Sequence, residues 1–142
     1  MMAQGRKTGL STEPYVLVVD DNPLILMTVC DILEDAGFRY YDAENGDNAK
    51  AMLPQFGPNI TLLFTDVEMP GNIDGFALAH HVAKEWPDIE IVVASGRITP
   101  QPGDMPDKAT FVGKPFTAEM ICDHLRDKLP DGKLPAQLKN TV

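Results

Sequence analysis

Four short apolar runs in this sequence each end in polar residues able to do chemistry. The run at 15–19 leads to Asp20 and Asp21, the run at 60–64 to Thr65 and Asp66, the run at 89–94 to Ser95, and the run at 109–112 to Gly113 and Lys114. Three carboxylates at close quarters repel one another, so a site built from them either protonates one or recruits a cation. Oxygen-only ligands with room for water favour Mg2+ over zinc or copper. Lys114 adds a fixed positive charge and Ser95 a hydroxyl donor. This set suits a carboxylate nucleophile attacking phosphorus, with metal and lysine neutralising the phosphoryl oxygens. Singly, an Asp at a strand end is a common turn or cap residue, and Lys-Pro a common turn. The joint pattern carries the signal.

For these residues to meet, the apolar runs must be strands of one sheet. Unbroken β-branched runs such as YVLVV (15–19) suit strands buried on both faces of a parallel sheet. Between them lie helical segments. Asn22 and Pro23 read as a helix start, with Gly37 as its stop. A weaker strand is expected over 38–42 and a short helix over 45–56, broken by Pro54 and Gly57. A Pro/Gly-rich loop at 69–75 leads to a helix over 76–85, and Thr117 caps a last helix to about residue 129. Pro100, Pro102 and Pro106 predict that any fourth helix, between the fourth and fifth strands, is short or irregular. The expected fold is α/β, a doubly wound five-stranded parallel sheet with flanking helices. Right-handed crossovers put every strand's C-terminal end on one edge, where such folds bind ligands.

The segments VLVVDDNP (16–23), LLFTDVEMPGNIDG (62–75), VVASG (92–96) and FVGKPF (111–116) resemble the response-regulator receiver domains of two-component signalling, of the chemotaxis-regulator type. The spacing agrees: 45 positions from Asp21 to Asp66, 29 to Ser95 and 19 to Lys114. The resemblance covers residues 14–129, leaving 1–13 as a flexible N-terminal tail and 130–142 as a C-terminal tail. It implies a flavodoxin-like sheet of strand order 2-1-3-4-5, with Asp66 as the phosphoacceptor. Asp21 is then a direct Mg2+ ligand, Asp20 a ligand through water, and the backbone carbonyl of Glu68 the remaining protein ligand, with Mn2+ as a substitute metal. Ser95 and Lys114 would hold the phosphoryl group, and Phe111 would turn inward when Ser95 is drawn toward it. The side chains of Glu68 and Arg97 would modulate phosphate lifetime. A histidine kinase or a histidine phosphotransfer protein would be the donor, docking on the first helix and on Pro115.

Two departures from the family pattern stand out. The loop after Asp66 is one residue longer than its common form. The proline-rich segment after Ser95 replaces a helix of the family's dimerisation and output face, which leaves dimerisation open. The first helix bears on docking: Leu24, Ile25, Leu26 and Met27 are consecutive, and at about 100° per residue they cannot all face a sheet. Leu26, Met27 and Cys30 are expected outside as an apolar docking patch. His80, His81 and His124 form no metal set, and Cys30 and Cys122 read as reduced packing thiols.

Composition bounds the rest. The 142 residues, 44% hydrophobic, fit one domain with a real core. Twelve basic against 21 acidic side chains give a formal net charge of -9, which argues against direct DNA binding. There is no signal-peptide pattern and no run of apolar residues long enough for a membrane, so a cytoplasmic location is expected. Met1 and the two polar tails fit a stand-alone protein without an output domain. The functional expectation is a phosphorelay receiver, a switch catalysing only its own phosphorylation and dephosphorylation, that signals by protein contact or phosphoryl relay. The alternatives are an aspartate-nucleophile phosphatase, for which position 68 holds Glu in place of a second Asp, and a non-phosphorylated interaction module on the same fold.

Overall fold

Val16, Leu17, Val18 and Val19 are all buried, as an apolar run covered on both faces must be. They form β1 (Tyr15–Val19) near the centre of the sheet, in a computed structural model that describes residues 13–139. The chain continues through α1 (Pro23–Asp35), β2 (Arg39–Ala43), α2 (Gly46–Phe56), a 3-10 turn (Gly57–Asn59), β3 (Ile60–Asp66), α3 (Gly75–Glu85), β4 (Glu90–Ser95), β5 (Thr110–Gly113) and α4 (Ala118–Lys128). All strand pairs are parallel, in the spatial order β2-β1-β3-β4-β5, which is the doubly wound order expected. The expected N-terminal tail lies outside the described residues except at Glu13.

Side chains alternate across the sheet into two cores. Val16, Val18, Leu62, Phe64 and Val92 face α1 and α4, while Leu17, Val19, Leu63, Ile91 and Val93 face α2 and α3. Each fully buried aliphatic side chain contributes about 1.5–3 kcal/mol, so the two layers together hold the sheet between them. The α1 helix starts where Asn22 Oδ1 accepts the N–H groups of Leu24 and Ile25 at 3.0 and 3.2 Å. It ends at Gly37, whose φ of +107° only glycine adopts cheaply, with Phe38 N–H donating to Leu33 O at 3.0 Å. Pro54 does not break α2, which runs to Phe56. In the last turn its missing N–H frees only one carbonyl, that of exposed Lys50.

Two further expectations are overturned. Leu26 and Cys30 are buried, at 8% and 2% exposure, while Leu24 and Met27 stand out at 74% and 64%. The cause is helix phase: Leu26, Val29, Cys30 and Leu33 recur at three- and four-residue steps and claim the sheet-facing stripe, which turns Leu24 and Met27 outward. The C-terminal segment is also more than a tail. Residues 130–139 fold back through two 3-10 turns (Asp131–Lys133 and Ala136–Leu138), and Leu134 and Leu138 join the core shared by α1 and α4. Lys133 Nζ pairs with Glu90 Oε2 at 2.7 Å, Arg126 Nε donates to Leu138 O at 3.2 Å, and Gln137 donates to Asp35 O at 3.2 Å. Residues 96–109 contain turns and no helix, as the three prolines predict.

Candidate functional site

Strand register sets the site. Val19 is paired with Thr65, Asp66 with Ala94, and Ser95 with Gly113. The residues that follow or close these strands therefore lie side by side at the C-terminal edge. Asp20, Asp21, Asp66, Glu68, Ser95, Arg97 and Lys114 all line one cleft of about 550 Å³, together with Asn22, Ile25, Met69, Pro70 and Gly96. Phe111 lies outside it, half-buried against the core on the α2 and α3 side. Pro115 is exposed, and the peptide bond before it is cis.

Lys114 is the hub. Its Nζ donates to Asp20 Oδ2 and to Asp66 Oδ1, each at 3.1 Å. Asp20 is aimed by its own backbone neighbour, since Asn22 N–H donates to its Oδ1 at 2.9 Å. Burial pushes the Lys114 ammonium toward the neutral form, but its bonds to Asp66 and Asp20 outweigh that and hold its pKa above the ordinary lysine value. Asp66 moves up too. Burial is the largest cause, the Lys114 hydrogen bond opposes it, and the charge of Asp20 adds to it. The Lys114 shift thus reflects the two carboxylates that it bonds, and the Asp66 shift reflects burial first and the charge of Asp20 after it.

Asp20, Asp21 and Asp66 each offer an oxygen, and these oxygens lie within 4.8 Å of one another. Asp20 is buried, Asp66 half-buried and Asp21 exposed, so the cluster opens toward water on one side. Three carboxylates against one ammonium leave two negative charges. An all-oxygen donor set with that excess and an open flank fits a hard divalent cation. Ser95 Oγ accepts the N–H groups of Arg97 and Ile98 at 3.2 and 3.0 Å, which keeps its own hydrogen available to donate. At the mouth, Arg97 Nη1 stands 3.7 Å from Glu68 Oε1, with the two side chains 85% and 51% exposed. A pair so open to water contributes little stability.

Some contributors were missed by inspection of the sequence. Met69, Pro70 and Gly96 wall the cleft, and nothing in their local spacing marks them. Gly75 is required by contact, because a methyl group there would run into the Asp66 backbone carbonyl; its N–H donates to Val67 O at 2.8 Å. Thr65 is fully buried beneath the site and donates its hydroxyl to Asp66 O at 2.8 Å.

Fold and site together define a doubly wound α/β domain with an acidic, cation-competent pocket at the C-terminal edge of its sheet. The family model of the response regulator receiver domain matches residues 16–126, and the chain belongs to that family. It is thus a signalling domain of two-component systems. Among curated proteins, the nitrogen assimilation regulatory protein NtrX of Azorhizobium caulinodans is 33% identical over 110 residues, which cover 75% of this chain and 24% of that protein. The sensor kinase CckA of Brucella abortus is 27% identical over 129 residues, covering 87% of this chain and 13% of the kinase. This chain therefore spans at most a quarter of either relative. Among solved structures, a response regulator receiver protein from Sinorhizobium medicae superposes with a TM-score of 0.78 at 24% identity, covering 85% of this chain and 98% of that one. The chemotaxis protein CheY4 of Vibrio cholerae gives 0.73 at 26% identity, covering 83% and 100%. Among the described residues, no helix is long and apolar enough to cross a membrane.

Proposed function

We propose that this domain accepts a phosphoryl group on Asp66 from a phosphohistidine of a histidine kinase or histidine phosphotransfer protein, in the cytoplasm, and passes the signal on by protein contact or phosphoryl relay. The observation that carries this reading is Lys114 bridging Asp20 and Asp66 at 3.1 Å each, inside a cluster of three carboxylates. In the step, an Asp66 oxygen attacks phosphorus, the P–N bond to the donor imidazole breaks, and a P–O bond forms the acyl phosphate. The protein's part is positioning and charge neutralisation, as is usual in phosphoryl transfer. Lys114 gives up its bond to Asp66 and pairs with a phosphoryl oxygen, while Ser95 donates its hydroxyl to another. Asp20, Asp21, Asp66 and the Glu68 carbonyl would hold Mg2+, with Mn2+ as a substitute, and the ion would supply further charge neutralisation on the phosphoryl oxygens. Drawing Ser95 toward the phosphoryl group vacates space that Phe111 fills, converting a charge change into a packing change. Hydrolysis of the acyl phosphate resets the domain, with the Glu68–Arg97 pair at the mouth setting how freely water enters.

The test is incubation with Mg2+ and acetyl phosphate, followed by intact-mass measurement. A gain of one phosphoryl group is expected for the wild-type chain and none for Asp66→Asn. Rapid turnover of phosphomonoesters without a stable adduct would identify a phosphatase instead, and an inert wild-type chain would leave only an interaction module.

A further inference from the structure

The loop that leaves Asp66 (residues 67–74) returns to α3 across the start of α2, and three contacts define that crossing. Asp47, half-buried in the first turn of α2, accepts the Asn72 N–H through Oδ2 at 2.8 Å. Gly71 has φ +106°, and a methyl group built on it would strike the same Asp47 oxygen. From the other side, a methyl group on Gly46 would lie 2.7 Å from both Ile73 Cγ1 and Ile73 O. The loop backbone and the α2 terminus thus touch, with only glycines between them. The far end of the loop is tied by Gly75 N–H to Val67 O at 2.8 Å. Between the two anchors lie Glu68, Met69 and Pro70, which form one wall of the cleft.

We infer that Asp47 is a positioning residue for the phosphoacceptor site: by holding Asn72 it fixes residues 68–70 and so aims the Glu68 carbonyl at the cation position. This rests on the reading of Asp66 as phosphoacceptor. Asp47 sits on another element and is absent from the cleft lining, so it acts through the loop and not on the reacting atoms. The contact that matters is the hydrogen bond. Asparagine keeps an acceptor oxygen there and removes the charge, whereas alanine removes both.

The test compares the 142-residue wild-type chain, Asp47→Ala and Asp47→Asn. Amide hydrogen exchange without metal, Mg2+ affinity by calorimetry and the rate of phosphorylation by acetyl phosphate are the readouts. Asp47→Ala should speed exchange at Asn72 and across residues 68–71, leave β1 and β5 protected, and weaken Mg2+ binding about fivefold, the size of one net hydrogen bond. Asp47→Asn should restore both. Two results overturn the inference: faster exchange confined to Asn72 with unchanged Mg2+ affinity, or an asparagine variant that behaves like alanine, which would mark a long-range charge effect. Failure of the underlying reading shows separately, as a wild-type chain that gains no phosphoryl group. The spread or confinement of the exchange change still decides the role of Asp47 in that case.

Discussion

Asp66 should weaken the fold that it serves, and Asp66→Asn should therefore raise stability in metal-free buffer. Its oxygen lies 3.1 Å from Lys114 Nζ, an attraction of about 5 kcal/mol at an effective dielectric constant of ~20. Against this stand repulsion from buried Asp20, whose oxygen lies within 4.8 Å, at about 3 kcal/mol, and from exposed Asp21, screened by water to about 1 kcal/mol. These nearly cancel, which leaves the cost of burying a carboxylate whose side chain is only 12% exposed. The net gain from Asp66→Asn is then about 1–2 kcal/mol, or roughly 3–7 °C in melting temperature for a domain of this size. The sign with pH follows from the raised pKa of Asp66. The folded state holds this proton more tightly than the unfolded state does. The wild type is thus penalised increasingly as pH rises from the unfolded value of 3.8 through the folded pKa, and the penalty is constant above it. Thermal unfolding by circular dichroism in EDTA, from pH 4 to pH 8, should show a gap between variant and wild type that opens with pH. Mg2+ should then stabilise the wild type and narrow the gap. An Asp66→Asn variant less stable than wild type at pH 7.5 in EDTA, or a gap indifferent to pH, would refute this account of the charge balance.

Three further outcomes are expected. Leu134→Ala and Leu138→Ala, at sites 5% and 3% exposed, should each cost about 2–3 kcal/mol in urea unfolding; losses under ~0.5 kcal/mol would mean that residues 130–139 only rest on the core. Arg97→Ala should speed loss of the phosphoryl group by at most about fivefold, the scale of an exposed ion pair, and an unchanged rate in a dephosphorylation time course would remove Arg97 and Glu68 from the lifetime argument. Leu24→Glu with Met27→Glu should slow phosphotransfer from a histidine phosphotransfer protein about tenfold or more while leaving acetyl phosphate labelling intact; equal rates with the protein donor would place docking elsewhere.

The strands and the cleft residues at their ends were legible because parallel strands buried on two faces have few sequence solutions, whereas the strand order came with the receiver resemblance. Asp20, Asp21, Asp66, Ser95 and Lys114 follow those strands directly, so topology alone delivers them to one edge. The face of α1 was harder. Four apolar residues in a row carry no phase by themselves, and only the further spacing to Val29, Cys30 and Leu33 turns Leu26 inward. Residues 130–139 were illegible for a different reason. Leu134 and Leu138 are isolated apolar positions in Pro-punctuated 3-10 turns, where neither a two- nor a 3.6-residue period exists to reveal burial. The Asp47 contact was invisible because it joins residues 25 positions apart through a backbone N–H, which leaves no mark on side-chain pattern.

The folded-back C-terminal segment bears on how such domains are exchanged between proteins. The match of the family model ends at residue 126, but the hydrophobic interior closes only at Leu138. A chimera spliced at the family boundary would inherit a groove between α1 and α4 shaped for leucines that its new continuation lacks. It would also leave the Asp35 carbonyl and the Glu90 carboxylate without the Gln137 and Lys133 that cover them. The transferable module is therefore longer than the recognisable one, and domain swaps that use this receiver should be cut after residue 139.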